Sequence, residues 1–200
     1  MHTVHLALYE GLADWEYGYV AAGINNPEFQ RAPGTFQVRT VGATRDAITT
    51  IGGVQMTPQL TLDDIDPAES AMLVLPGAQS WDGNAPFVDA ALRWNAAGVP
   101  VAGICGATLG LARAGLLDRR RHTSNAREQL APTGYQGAEH YVDAPAVTDD
   151  GIITAAAVAP VEFAREVFAL LGIYEPAVLD AWWQLYGKKD PAGFYALAEN

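Results

Sequence analysis

The chain is 200 residues long and half of it is apolar, enough for one sizeable core and a single domain over residues 1–200. Its net charge of −11 speaks against a nucleic-acid partner, because phosphate recognition needs clustered cations. A single cysteine excludes an internal disulfide framework, and no apolar stretch is long enough to span a bilayer, so no membrane partner is expected.

The N-terminal "MHTVHLALYEG" has no charged n-region, long apolar h-region or small-residue cleavage site. With a lone thiol that suits a reducing compartment, this makes a cytoplasmic location the expectation. "TVHLALYE" and "FQVRTVGA" read as short strands. Between them "DWEYGYVAAGINN" reads as a helix, with Asp14 capping its first turn. "ITTIGGVQMTPQLTLDDID" reads as a hairpin followed by an acidic loop.

"SAMLVLPG" and "VPVAGIC" are continuous apolar strands, as expected where helices cover both faces of a sheet. "APFVDAALRWNAAG" predicts a helix that starts after Pro86, and "ATLGLARAGLL" predicts another after the second strand. The run Arg119-Arg120-Arg121-His122 reads as a solvated turn. "YVDAPAVTDDGIITAAA" predicts two strands around an Asp-Asp-Gly turn. "PVEFAREVFALLG" is a helix with Ala164, Val167, Phe168 and Leu171 on one stripe. The tail carries two short helical pieces split by Gly187 to Pro191, with Trp182-Trp183 expected to pack onto the body. Alternating strands and helices predict an α/β sandwich with a mainly parallel central sheet.

Reactive groups in such a sheet gather at the carboxyl ends of the strands, which is where Cys105 falls. In Gly103-Ile104-Cys105-Gly106-Ala107 a small residue stands two before and two after the thiol. A nucleophile elbow needs that pattern, because its strained turn brings those two positions together. The following helix N-terminus is expected to depress the thiol pKa. An inert buried cysteine in a Gly/Ala packing turn is the plainer alternative.

Two further stretches bear on the thiol. In "VLPGAQSW" the backbone N–H groups of Gly77 and Ala78, with that of Gly106, are candidates for an oxyanion hole, and Trp81 is a candidate pocket wall. In "GLADWEYG", Glu16 starts the first helix over the same sheet edge. Desolvation there would raise its pKa and suit it to shuttle protons; taken alone, it also fits a solvated helix position.

"LADWE", "LVLPG" and "AGICGATLGLARAGLLDRRRHTSN" resemble the ThiJ/PfpI superfamily, and the resemblance continues through "DGIITAAAVAPVEFAREVFALLG". It covers about residues 3–172 and leaves 173–200 as a C-terminal helical extension. The group has a flavodoxin-like, class I glutamine amidotransferase-like fold and includes the parkinsonism-associated deglycase and isonitrile hydratases. The resemblance implies a three-layer sandwich, an elbow cysteine at Cys105 hydrogen-bonded to a glutamate at Glu16, a homodimer, and no metal or organic cofactor.

The departures concern histidine. Gly106 stands where the PfpI-type peptidases have one, and Asn125 where the deglycase and isonitrile hydratases do. "APVEF" keeps Pro160 and Glu162 of the amidotransferase segment, with Val161 between them. His122 is the nearest substitute, but its odd offset from Asn125 on a strand turns it to the opposite face.

These residues imply a cysteine–glutamate protein acting on a small-molecule electrophile, in the manner of a glyoxalase, deglycase or hydratase. A redox-responsive stress protein whose cysteine becomes a sulfinate is the first alternative. An amidotransferase-like protein without its histidine is the second, and a non-catalytic binding module the third.

Overall fold

Alternation along the strands builds two cores, one on each face of a central sheet. In β1 (His2–Ala7), Val4 and Leu6 turn to one face while His5 and Ala7 turn to the other. The computed structural model describes residues 1–81 and 84–199. Residues 82–83, in the middle of the expected pocket-wall loop "AQSWDGNAPF", and residue 200 lie outside the described residues.

After β1 come α1 (Asp14–Asn25), β2 (Phe36–Gly42), the short hairpin β3 (Ile48–Thr49) and β4 (Gln55–Met56), and β5 (Leu60–Thr61). Next are β6 (Ser70–Leu75), α2 (Ala85–Ala96), β7 (Val101–Ile104), α3 (Ala107–Arg113) and α4 (Arg127–Leu130). The chain continues through β8 (Ala146–Asp149), β9 (Ile152–Ala155), α5 (Pro160–Leu171), α6 (Pro176–Tyr186) and α7 (Ala192–Ala198). This is the expected flavodoxin-like three-layer α/β sandwich. Its sheet runs β5-β2-β1-β6-β7-β9-β8, parallel throughout except for β8.

The strand order reverses direction between β1 and β6, so a crevice opens at the carboxyl ends of those strands and β7. β6 and β7 are direct neighbours in register, Leu73 opposite Val101, which brings Gly77 beside Cys105. One core joins Leu73 and Leu75 to Phe87 and Trp94 of α2 and Leu111 of α3. The other joins Met72, Ile104 and Ile153 to Val20 and Ile24 of α1, Phe163 and Phe168 of α5, and Trp182 of α6. Trp182 meets Phe168 edge-on at 5.2 Å, and Arg165 lies 5.0 Å over the ring of Trp183, so the tail packs onto this side of the sheet.

Several local expectations are corrected. Asp14 is the first helical residue rather than the cap; its carboxylate accepts the Gly52 N–H at 2.7 Å and ties α1 to the β3–β4 hairpin. The helix predicted to start after Pro86 begins one residue before it, at Ala85. The helix predicted through Leu117 ends at Arg113, because Gly115 adopts φ +71° and turns the chain. The basic run is not simply solvated: Arg120 pairs with Asp150 at 2.7 Å and bonds the Leu116 carbonyl, and His122 is fully buried. No helix among the described residues is long and apolar enough to cross a membrane.

Candidate active site

Cys105 follows β7 with φ +58°, a left-handed conformation that costs a non-glycine residue about 1–2 kcal/mol. Its backbone is held on both sides. The Cys105 N–H donates to Ala155 O at 2.9 Å, and the Cys105 carbonyl accepts from the Thr108 hydroxyl at 2.6 Å. The small flanks have the steric cause expected of an elbow. A Cβ on Gly103 would lie 2.8 Å from Leu111 Cδ1 and 3.5 Å from Ala107 Cβ, and one on Gly106 would lie 2.7 Å from Trp81 Cδ1.

Glu16 leaves α1 and is 1% exposed. Its Oε2 accepts the Gly77 N–H, and the Cys105 thiol lies beside the same carboxyl as a weak donor. Oε1 is buried and has no hydrogen-bond partner among the described residues. A Cβ on Gly77 would sit 2.7 Å from Glu16 Oε2 and 3.0 Å from Cys105 Sγ, so only glycine lets the two groups meet. Burial raises the Glu16 pKa to about 7, against the opposing pull of the Gly77 N–H and the thiol. The expected elevation is therefore present, but its cause is the pocket rather than the flanking aromatics, since Trp15 is half exposed.

The expected depression of the thiol pKa is not found. Burial pushes the Cys105 thiol up and the neighbouring Glu16 carboxyl adds to this, while hydrogen bonds from Asn125 and the Gly106 N–H pull the other way. The seven-residue α3 does not outweigh a low-dielectric site that already holds a carboxyl.

The oxyanion trio is not free as a set. The Gly77 N–H is committed to Glu16 and the Gly106 N–H faces the sulfur. Only Ala78 keeps its N–H without a partner among the described residues, on a loop pinned by its bridge to Leu12. Trp81 is not an open pocket wall: it is 5% exposed, lies beneath Gly106 and Gly110, and meets Tyr9 edge-on at 5.2 Å.

Asn125 joins the site, donating from Nδ2 to Cys105 Sγ at 3.4 Å while its Oδ1 accepts the Ala157 N–H at 2.8 Å. His122 is not hydrogen-bonded to the thiol, but the strand assumed for 122–125 is not formed: His122 makes only an isolated bridge with Tyr141, so strand alternation is not what orients it. Its ring is bonded to Arg120 O at 2.8 Å and stands between Tyr135 and Tyr141, with burial lowering its pKa. Among the described residues no cluster of three His, Cys, Asp or Glu side chains could hold a metal ion.

Three polar residues at the site have no counterpart in the sequence reading. Thr108 and Ser124, both buried, share a hydroxyl–hydroxyl bond of 2.7 Å beneath the elbow. Tyr9, 4% exposed just beyond β1, donates its hydroxyl to Pro76 O. The one signal for Tyr9 was a phenol at the end of an apolar strand, where a buried hydroxyl must find an acceptor.

Known proteins resemble the chain in sequence and in fold. The sequence matches the DJ-1/PfpI family over residues 2–170. It is 36% identical over 199 residues to the uncharacterized protease YoaZ of Bacillus subtilis, covering 97% of this chain and 95% of that one. It is 30% identical over 169 residues to the uncharacterized protease YdeA of the same organism, covering 82% and 80%. The fold superposes on the thiJ/pfpI family protein from Bacillus anthracis with TM-score 0.93, at 35% identity and 100% and 97% coverage. It superposes on the DJ-1 superfamily protein Atu0886 from Agrobacterium tumefaciens with TM-score 0.83, at 32% identity and 94% and 100% coverage.

Proposed function

Because this chain belongs to the DJ-1/PfpI family, we propose that it is a cysteine-dependent enzyme of small electrophiles, foremost 1,2-dicarbonyls, with Cys105 as nucleophile and Glu16 as proton carrier. The observation that carries this reading is the Glu16 carboxyl, buried against the thiol with a pKa of about 7. A carboxyl with that value both accepts and returns a proton near neutral pH, where general acid–base help is worth roughly 10²–10⁴-fold.

Attack by Cys105 forms the S–C bond and breaks the carbonyl π bond. The thiol proton passes to Glu16 and from there to the carbonyl oxygen, giving a hemithioacetal. In a 1,2-dicarbonyl, Glu16 then removes the proton from the thiol-bearing carbon and returns it to the adjacent one, while the hydroxyl proton on the first oxygen moves to the second oxygen through the enediol. The first carbon is oxidised to a thioester and the second is reduced to an alcohol. Water hydrolyses the thioester, so a 2-oxoaldehyde and water become a 2-hydroxy acid. The Ala78 N–H, without a partner among the described residues, and the Asn125 amide, already on the sulfur, are the donors assigned to the developing oxyanion.

The word protease in the names of two relatives does not suit this arrangement. The cysteine–histidine pair by which cysteine peptidases activate the thiol and protonate the leaving amine has no counterpart among the described residues: no histidine is hydrogen-bonded to the thiol, and Asn125, which is, cannot titrate.

Methylglyoxal consumption with stoichiometric lactate formation tests the proposal. Cys105→Ser is expected to abolish it and Glu16→Gln to reduce it by at least about 10²-fold. Undiminished turnover in Cys105→Ser overturns it.

A further inference from the structure

One peptide unit, Pro76–Gly77, is gripped at both ends. The Tyr9 hydroxyl donates to its carbonyl oxygen, and its N–H donates to Glu16 Oε2. The loop around it is fixed as well. Ala13 N–H bonds Gly77 O at 3.0 Å, and Gln79 N–H bonds Gly11 O at 2.9 Å. Tyr9 itself has little freedom: it is buried, with its ring edge-on to Trp81 at 5.2 Å and to Phe87 at 4.9 Å. The phenol therefore presents its hydroxyl to Pro76 from a fixed position.

We infer that Tyr9 is a positioning residue for the Glu16–Cys105 pair: by donating to the Pro76 carbonyl, it aims and polarises the Gly77 N–H that holds the Glu16 carboxyl. The physical basis is the amide itself. Hydrogen bonding at the carbonyl oxygen draws electrons through the conjugated unit and makes the N–H of that unit a stronger donor, a cooperative gain of about 10–30% per bond. A stronger donor favours the carboxylate over the acid, so Tyr9 opposes the upward push that burial exerts on Glu16. The titratable groups that face Glu16 among the described residues are Cys105 from the elbow and Tyr9 from the loop after β1. Tyr9 remains protonated through the working range, since burial and both neighbours hold its pKa well above 10. It acts as a fixed dipole and not as a second acid. This inference rests on the Glu16–Cys105 pair proposed above.

The test is the pH profile of Cys105 alkylation by iodoacetamide, followed by intact mass. The chain holds one cysteine, so the label reports one site. Ionisation of Glu16 is expected to leave an inflection near pH 7, where its pKa lies. Tyr9→Phe keeps the ring packing and is expected to move that inflection upward by about 0.3–0.6 pH unit, while leaving the profile of Glu16→Gln where it is. Placing 3-fluorotyrosine at position 9, a stronger donor with the same ring, is expected to move it downward, and this variant decides the matter if Tyr9→Phe fails to fold. An inflection that stays put in both variants, or a shift that persists in the Glu16→Gln background, overturns the role of Tyr9 alone. A profile that Glu16→Gln leaves unchanged overturns the pair itself, and the role of Tyr9 with it.

Discussion

Glu16 Oε2 and Cys105 Sγ flank the point where residue 77 would carry a Cβ, 2.7 and 3.0 Å from it. The carboxyl and the thiol meet across a glycine. Gly77→Ala is therefore expected to separate them, since Cys105 Cβ, at 2.8 Å from the added methyl, belongs to a braced elbow and cannot swing aside. Overpacking of this kind costs about 1–3 kcal/mol. Melting should fall accordingly and methylglyoxal turnover should fall at least about tenfold. Gly18→Ala on α1, which has open space around it, is the control and should stabilise by about 0.5–1 kcal/mol.

Glu16→Gln is expected to stabilise the protein at pH 8 and to have little effect at pH 4. Folding raises the Glu16 pKa from 4.5 to about 7, so the folded state binds the proton more tightly. The Glu16 contribution to stability is full below pH 4.5 and is lost as pH rises to about 7, by on the order of 3 kcal/mol. His5 works in the opposite sense. It is buried and bonded to Ser70, and its pKa drops from 6.5 to about 4, so its contribution is full above 6.5 and is lost on acidification toward 4. The difference between variant and wild-type denaturation free energies isolates Glu16. A difference that does not grow from pH 4 to pH 8 contradicts the assignment.

Asn125→Ala is expected to slow Cys105 alkylation at pH 8 by roughly fivefold, the effect of losing about 1 kcal/mol of hydrogen bonding to the thiolate. The sign follows from the donor: Asn125 Nδ2 stabilises the anion, so its removal lets burial push the thiol further up. An unchanged or faster rate would show that the 3.4 Å contact does not act on the thiolate.

Trp182→Ala is expected to lower stability by about 3–5 kcal/mol, as for an aromatic removed from a core. Trp182 is 7% exposed and packs against Phe168 and Tyr19 of its own chain. The homodimer we propose uses instead the outer face of α1, where Trp15 is 52% and Tyr19 37% exposed. Sedimentation at micromolar concentration should give a dimer that Trp15→Glu dissociates. A monomer for the wild type removes that proposal, and concentration-dependent melting that Trp182→Ala abolishes would assign the interface to the tail.

The order of strands and helices was legible in the chain because period and propensity are local. Val4 and Leu6 against His5 and Ala7 already encode a two-sided strand, and the apolar runs before Gly77 and Cys105 encode buried ones. The elbow was legible for the same reason: small residues at Gly103 and Ala107 answer a steric demand within five residues of sequence. What tertiary structure alone decided lies between segments far apart in the chain. The Gly77 N–H goes to Glu16 and not to an oxyanion, Asp14 reaches Gly52, and Tyr9 reaches Pro76, each through a distance that no local pattern encodes. The thiol pKa rises because its sign depends on how completely water is excluded and on which charge is placed beside it, and both are properties of the packed molecule.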